Sequence, residues 1–266
     1  MTASFPGFAA ADLAFLTGLA ANNDRDWFLA NRAAYDNGLK PTLSALIEAT
    51  SAACAARGVP LSGDGKKSVF RIHRDVRFSK DKRPYKTHVS ATLTRDGAKM
   101  SPGMMYVHIE PDGGSRPRFD PDSIDPLDPS THPSAAAPAA NEGEVLFGDG
   151  PFAALGFYLS ERPEIDAMRR AIVASPAAWA AVETALDRAG LTLRPGDPVK
   201  RMPKDFEAHA GGPLETTLKR TRWLVVRRLT GADIASPDLP GRLADFAVAA
   251  RPLLDFGWKA LGRADA

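Results

Sequence analysis

The sequence predicts an α+β fold with a mostly antiparallel central sheet, packed by N- and C-terminal helices. Apolar residues recur at helical spacing before residue 58 and after residue 163. Between residues 88 and 110 they alternate with polar residues, which is the period of a half-buried strand. Helices segregated in this way from a run of strands are typical of the α+β class.

Three helices are predicted at the N-terminal end. Residues 9–21 form the first, and its apolar face consists of Leu13, Phe15, Leu16 and Leu19. Asp24 is a suitable N-cap for the second helix, because its carboxylate can accept hydrogen bonds from free backbone N–H groups. Pro41 fits the first turn of the third helix, which we expect to end near Gly58.

An aromatic stripe marks the second helix. Trp27, Asn31 and Tyr35 are spaced four residues apart and therefore share one face. Such a stripe favours a core position, whereas the amide of Asn31 needs hydrogen-bond partners. We therefore expect the two aromatic residues in the core, with Asn31 holding a loop or contacting a ligand.

Two alternating segments, residues 88–94 and 104–110, predict a β-hairpin around the turn signal Asp96-Gly97. A hairpin centred near Ala98 places His88 opposite His108 and Ser90 opposite Tyr106. One face of this hairpin is apolar and is expected to pack on helices. The other face is polar and carries His88, Ser90, Thr92, Tyr106 and His108.

The remaining elements follow from the same patterns. We expect strands at residues 152–160 and 223–226, a short strand at 191–194, and helices at 163–174, 176–189 and 238–256. Apolar residues also predict a short strand at 68–73, in which Arg71 and His73 share one face. Residues 112–150 are instead rich in Pro, Ala and Asp, with eight acids against two bases. This composition favours a flexible acidic insertion, either simply solvated or acting as an acidic lid over a basic ligand site.

Residues 71–86 contain the densest charge in the chain. Between residues 66 and 88, nine basic residues face two acids: Lys66, Lys67, Arg71, Arg74, Arg77, Lys80, Lys82, Arg83 and Lys86 against Asp75 and Asp81. Clustered cations repel one another unless an anion lies among them. Arginine also grips phosphate or carboxylate through two parallel hydrogen bonds. The motif therefore predicts a site for an anion, although an internal ion-pair network with Phe78 and Tyr85 in the core remains an alternative.

The pattern Arg71-x-x-Arg74-Asp75-x-Arg77-Phe78, followed by Asp81-Lys82-x-x-Tyr85-Lys86, resembles the signature of the DUF2461 family. Residues 22–35, 106–111 and 156–158 are similar to other parts of that family. The family is mainly bacterial and of unknown function. The resemblance implies one α+β domain over residues 5–257, interrupted by the insertion at about 112–150, and it carries no activity over to this chain.

We predict a soluble protein that binds a small anionic ligand, with the question of catalysis left open. The predicted ligand contacts are Arg71, Arg74, Arg77, Lys82, Lys86 and Tyr106. The candidate catalytic residues are Asp75, as a base or an orienting group, with Tyr85 and His88 as proton donors. The alternatives are nucleic-acid binding through this motif and a second basic patch at 200–228, or a structural Arg/Asp network without a ligand.

The sequence does not support several other classes of protein. A single cysteine, Cys54, excludes an intramolecular disulfide framework. No Gly-rich phosphate loop, zinc signature or apolar stretch of membrane-spanning length occurs. We therefore expect no cofactor, no metal, no membrane partner and a cytoplasmic location. The sequence leaves the oligomeric state open.

Overall fold

A four-stranded antiparallel sheet lies at the centre of the fold. The computed structural model describes residues 4–77, 81–111 and 150–263. The strands are β1 (Val89–Leu93), β2 (Met104–Ile109), β3 (Phe152–Tyr158) and β4 (Arg222–Arg228), and they lie in the sheet in chain order. All three neighbouring pairs are antiparallel. This confirms the predicted α+β fold with helices at both ends.

Three helices precede the sheet in sequence, and the later helices lie between β3 and β4 and after β4. The N-terminal helices are α1 (Ala10–Ala21), α2 (Arg25–Ala34) and α3 (Lys40–Ala56). The later helices are α4 (Arg162–Ala174), α5 (Pro176–Arg188), α6 (Glu215–Lys219), α7 (Gly231–Ala235), α8 (Leu239–Ala249) and α9 (Arg251–Ala260). A 3₁₀ turn, Lys204–His209, precedes α6. None of the described helices is long and apolar enough to cross a membrane.

Two helical features differ from the prediction. The single helix expected at 238–256 is two helices, α8 and α9, which meet at Ala250. Pro252 lies in the first turn of α9, where its missing N–H interrupts the helical ladder. In addition, one π-helical turn, Tyr35–Leu39, joins α2 to α3 without a loop. The helix propensities of the residues do not indicate a π-helical turn at this position.

The N-terminal helices pack through the predicted aromatic stripe. Asp24 caps α2, since its carboxylate accepts a hydrogen bond of 2.9 Å from the Trp27 N–H. The rings of Trp27 and Tyr35 lie 5.6 and 5.9 Å from the ring of Phe15. Asn31 donates to the Trp27 carbonyl within its own helix. The aromatic residues of the stripe therefore belong to the core.

Both faces of the sheet are buried. Val89, Ala91 and Leu93 point into the main core, together with alternate residues of β2, and α3 packs on β1. The second face forms a smaller buried cluster of Met104, Tyr106, Phe152, Ala154, Tyr158 and Leu224. The polar residues Ser90, Thr92 and His108 also lie on this face and are buried.

The hairpin register differs from the prediction by two residues. Ser90 pairs with His108, and Thr92 pairs with Tyr106, so the hairpin is centred near Lys99. The connection is a long loop, in which the Thr94 hydroxyl donates to the Ala98 carbonyl. A two-residue shift leaves each side chain on its predicted face, because the strand period is two.

The basic motif runs along the edge of the sheet. Val69 forms an isolated bridge with Ala91, and His73 forms another with Tyr85. The predicted short strand at 68–73 is therefore an extended segment with separate bridges. Residues 78–80 of the motif and residues 112–149 of the predicted insertion lie outside the described residues.

Candidate functional site

An open cleft of about 1050 Å³ lies between the N-terminal helices and the extended segment that contains Arg71. Helix α2 and the π-helical turn form one wall, and residues 65–73 form much of the other. The first turns of α3, together with Pro84, Tyr85 and Lys99, complete the lining. The cleft therefore joins parts of the chain that are far apart in sequence.

The α2 wall is a stripe of exposed side chains. Arg25, Leu29, Arg32 and Asp36 all line the cleft. Their spacings of four, three and four residues place them on one helical face. Arg32 donates to the Asp36 carboxylate at 2.8 Å, and both side chains are partly exposed.

The opposite wall alternates between exposed and buried residues. Arg71 and His73 are exposed to the cleft, whereas Ile72 between them is buried in the core. This is the alternation expected of an extended segment lying on a core. The predicted common face of Arg71 and His73 is thus present.

The cleft has a strong excess of positive charge. Six basic side chains line it against one acid: Arg25, Arg32, Lys40, Lys66, Arg71 and Lys99 against Asp36. Within the described parts of the chain, neither Arg71 nor Lys99 forms an ion pair. The charge of these two side chains is therefore available to an incoming anion.

Repulsion among these cations acts on their neighbours. Burial, followed by the charges of Arg71 and Arg32, lowers the pKa of His73 below its ordinary 6.5. Burial and the charge of Arg71 likewise lower the pKa of Lys99. Both shifts are consistent with the excess of basic side chains that line this cleft.

An aromatic cluster fixes the floor near His73. The rings of Phe28 and Tyr85 stack at 4.3 Å, and the His73 ring lies 5.1 Å from that of Tyr85. The side chain of Asn23 accepts from the Tyr85 N–H at 3.0 Å and donates to the Tyr85 carbonyl at 2.9 Å. This reciprocal pair ties the α1–α2 connection to the end of the basic motif.

Arg74 has a different environment from Arg71. Its side chain is only 5% exposed and its Nη1 lies 3.0 Å from Asp81 Oδ2. The same nitrogen donates to the Arg83 carbonyl at 3.0 Å, and Arg83 itself pairs with Asp81 at 2.6 Å. Hydrogen bonds from Arg83 hold the pKa of Asp81 well below its usual range. This part of the motif is an internal ion-pair network.

Arg77 forms a second pair with Asp75. The Arg77 Nη2 lies 2.5 Å from Asp75 Oδ2, although the Arg77 side chain is 76% exposed. Hydrogen bonds from Arg77 lower the pKa of Asp75 to about 2. A carboxylate with this pKa is a weak base at neutral pH. Lys82 lies beside this pair and donates to the Val76 carbonyl at 3.0 Å.

The other predicted residues lie on or near the second face of the sheet. The ring of His88 lies 4.1 Å from that of His108. The hydroxyl of Tyr106 is 3.4 Å from Nδ1 of the buried His108, whose Nε2 is 3.5 Å from Glu110. Lys86 is buried, with Nζ 5.6 Å from the Phe70 ring centroid. Among the described residues, no group of three or more His, Cys, Asp or Glu side chains is arranged to hold a metal ion.

The structure therefore distributes the predicted site over several places. Arg71 and Tyr85 line the cleft. Asp75, Arg74 and Arg77 form ion pairs beside it. The ligand-binding and catalytic roles predicted for these five residues, and for Lys82, Lys86, His88 and Tyr106, all stay predictions.

Sequence reasoning missed most of the cleft. It did not connect Arg25, Arg32 and Lys99 with Arg71, because their proximity depends on tertiary packing. One signal was available, since the α2 face combines two arginines with an exposed leucine, Leu29, on a helix whose other face carries the aromatic stripe.

Comparison with known protein families gives one match. The model of a family described as "Conserved hypothetical protein (DUF2461)" matches residues 11–117 and 145–256. The unmatched residues 118–144 fall inside the predicted insertion. Comparisons with curated proteins and with solved structures gave no significant match. Since the family model covers most of the chain, this protein belongs to the DUF2461 family.

Proposed function

We propose that the cleft binds a small molecule through a phosphate or carboxylate group held by Arg71. The observation that carries this proposal is the unbalanced charge of the cleft, six basic side chains against one acid. Like charges gathered in one cleft cost free energy, and a bound anion offsets that cost. The guanidinium of Arg71 supplies the planar pair of donors that suits either anionic group.

Neighbouring side chains complete the proposed anion site. Lys99 and Arg32 add positive charge, and both line the same cleft as Arg71. His73 is mostly neutral at pH 7 because its pKa is lowered. It can therefore donate one N–H hydrogen bond, and a bound anion would raise its pKa by offsetting the charges of Arg71 and Arg32.

We propose ligand binding in this cleft and do not assign a chemical reaction to it. Of the predicted catalytic residues only Tyr85 lines the cleft. Asp75 is engaged with Arg77, and His88 lies beside His108. A general acid or base must be within hydrogen-bond reach of the reacting group. Among the described residues that line the cleft, Tyr85 and His73 are the candidates for such a group.

For the part of the basic motif around Arg74, the alternative of a structural Arg/Asp network is favoured. Arg74, Arg83 and Asp81 form an ion-pair network, and Arg74 is nearly buried. We therefore propose different roles for the two arginines: Arg74 stabilises the fold, and Arg71 binds the ligand. The two arginines are three residues apart and differ in exposure and partners.

The test is isothermal titration calorimetry with phosphate, phenyl phosphate and benzoate. It uses the wild-type protein, Arg71→Ala, and Arg77→Ala as a matched control from the same motif. We expect wild type and Arg77→Ala to bind one of these anions, and Arg71→Ala to lose at least about tenfold in affinity, the loss of one charge-assisted pair. Equal affinities in all three proteins contradict the proposal. Binding of oligonucleotides alone, with a steep salt dependence, would support the nucleic-acid alternative instead.

A further inference from the structure

We infer that the ligand of this cleft is an amphipathic anion, a free small molecule in which a phosphate or carboxylate group is attached to an apolar body of several carbon atoms. This inference rests on the proposed function and adds the chemical class of the ligand. Two properties of the cleft carry it: its size and its exposed apolar surface.

The cleft is much larger than an isolated anion requires. Its volume of about 1050 Å³ lies at the upper end of the range, about 300–1,000 Å³, that is usual for sites of drug-sized ligands. An inorganic phosphate held by Arg71 would leave most of that space to water. A ligand with a larger body uses the space and displaces the water from its walls.

The space next to the cations is lined by apolar side chains. Leu29 is 51% exposed and lies between Arg25 and Arg32 on the α2 stripe. Val69 and Phe70 line the same cleft and are partly exposed. A lone exposed leucine is ordinary on a protein surface. Leu29 differs because it shares a concave surface with other apolar groups, where one ligand can cover all of them.

The ammonium group of Lys99 and the ring of Phe70 are neighbours at the proposed anion site. The Lys99 Nζ lies 4.9 Å from the centroid of the Phe70 ring. Arg71 lines the same cleft as these two residues. An anionic group bound by Lys99 therefore lies near the ring of Phe70. The atoms attached to that group meet an apolar surface.

A polyhydroxylated ligand fits this surface poorly. Each sugar hydroxyl placed against Leu29, Val69 or Phe70 loses its hydrogen bonds to water and gains none from those side chains. The charge of the cleft thus selects an anion, and its uncharged lining selects an apolar body.

Calorimetric titration with inorganic, ethyl, butyl and hexyl phosphate tests the inference, with glycerol phosphate as the polar ligand of similar length. We expect affinity to rise by about two- to fourfold for each added methylene, the range for partial to full burial of the group. Glycerol phosphate is expected to bind more weakly than butyl phosphate. Leu29→Gln should reduce the gain in affinity per methylene relative to wild type. Val248→Gln, at an exposed valine on α8 outside the cleft, is the matched control and should match wild type.

The outcomes separate this inference from the proposed function. Affinity for inorganic phosphate that does not grow with chain length overturns the amphipathic ligand and leaves the anion site standing. Absence of binding to every phosphate overturns both. Binding only to vesicles of phosphatidic acid, without binding of the soluble series, would assign the apolar surface to a membrane and overturn the inference of a free ligand.

Discussion

Replacing Arg74 by alanine is expected to destabilise the fold. The Arg74 side chain is 5% exposed, pairs with Asp81 at 3.0 Å and donates to the Arg83 carbonyl. A hydrogen bond to a charged group contributes about 1.5–3 kcal/mol, and breaking a fully buried ion pair costs about 3–5 kcal/mol. Asp81 is 29% exposed and keeps Arg83 as a partner, so the smaller figure applies.

We therefore predict a loss of about 2–3 kcal/mol in the free energy of unfolding of Arg74→Ala. At roughly 2–4 °C per kcal/mol for a chain of this size, Tm falls by about 4–12 °C. The assay is thermal and urea denaturation followed by circular dichroism. Arg77→Ala is the control, and its Tm should stay near that of wild type because the Arg77 side chain is mostly exposed. An Arg74→Ala protein as stable as Arg77→Ala would refute the assignment of Arg74 to the scaffold.

Three further predictions follow from the contacts around the cleft. Asn23→Ala should lower the free energy of unfolding by about 2 kcal/mol, since two hydrogen bonds to Tyr85 are lost, whereas Asn22→Ala, whose amide bonds only to its own helix, should change it little in the same urea denaturation. Asp36→Asn should tighten anion binding by roughly fivefold, because it removes about 1 kcal/mol of repulsion and frees Arg32; calorimetry that shows weaker binding contradicts this. Asp81→Asn should lose less stability than wild type in acid. The pKa of Asp81 is lowered in the fold, so its contribution is complete above its ordinary pKa of 3.8 and disappears as the pH falls through the lowered value. Urea denaturation at pH 7 and below pH 4 measures this loss. If wild type and Asp81→Asn lose the same free energy of unfolding in acid, the prediction is contradicted.

The elements of the fold were predictable because each has a strong local signal. The capping carboxylate of Asp24 and the Pro residues in the first turns of α3, α4 and α5 mark helix starts in the sequence itself. The alternation in β1 and β2 likewise fixes which side chains share a face. The register was not predictable, since it depends on the length of the loop before Gly103 and on hydrogen bonds such as that of Thr94.

The site was predictable only in part, for a related reason. Charge counted along the chain shows that residues 66–88 have too few acids for their bases. Such a count does not show which basic side chains form ion pairs with Asp75 and Asp81. In the fold, Asp75 pairs with Arg77, and Asp81 pairs with Arg83 and Arg74, whereas Arg71 lines the cleft and forms no ion pair with either described acid. Apart from Lys66, the remaining cations of the cleft come from α2, α3 and the hairpin loop, and only tertiary packing brings them to Arg71.

The most direct measurement of the central claim is the pKa of His73 by NMR, with and without phosphate. The His73→Gln variant assigns its resonance among the five histidines. Burial and the charges of Arg71 and Arg32 lower this pKa in the free protein. We predict that phosphate raises the pKa of His73 in wild type and in Arg77→Ala, and that it has little effect in Arg71→Ala. A His73 pKa that stays unchanged at saturating phosphate, or that rises equally in Arg71→Ala, would contradict an anion site at Arg71.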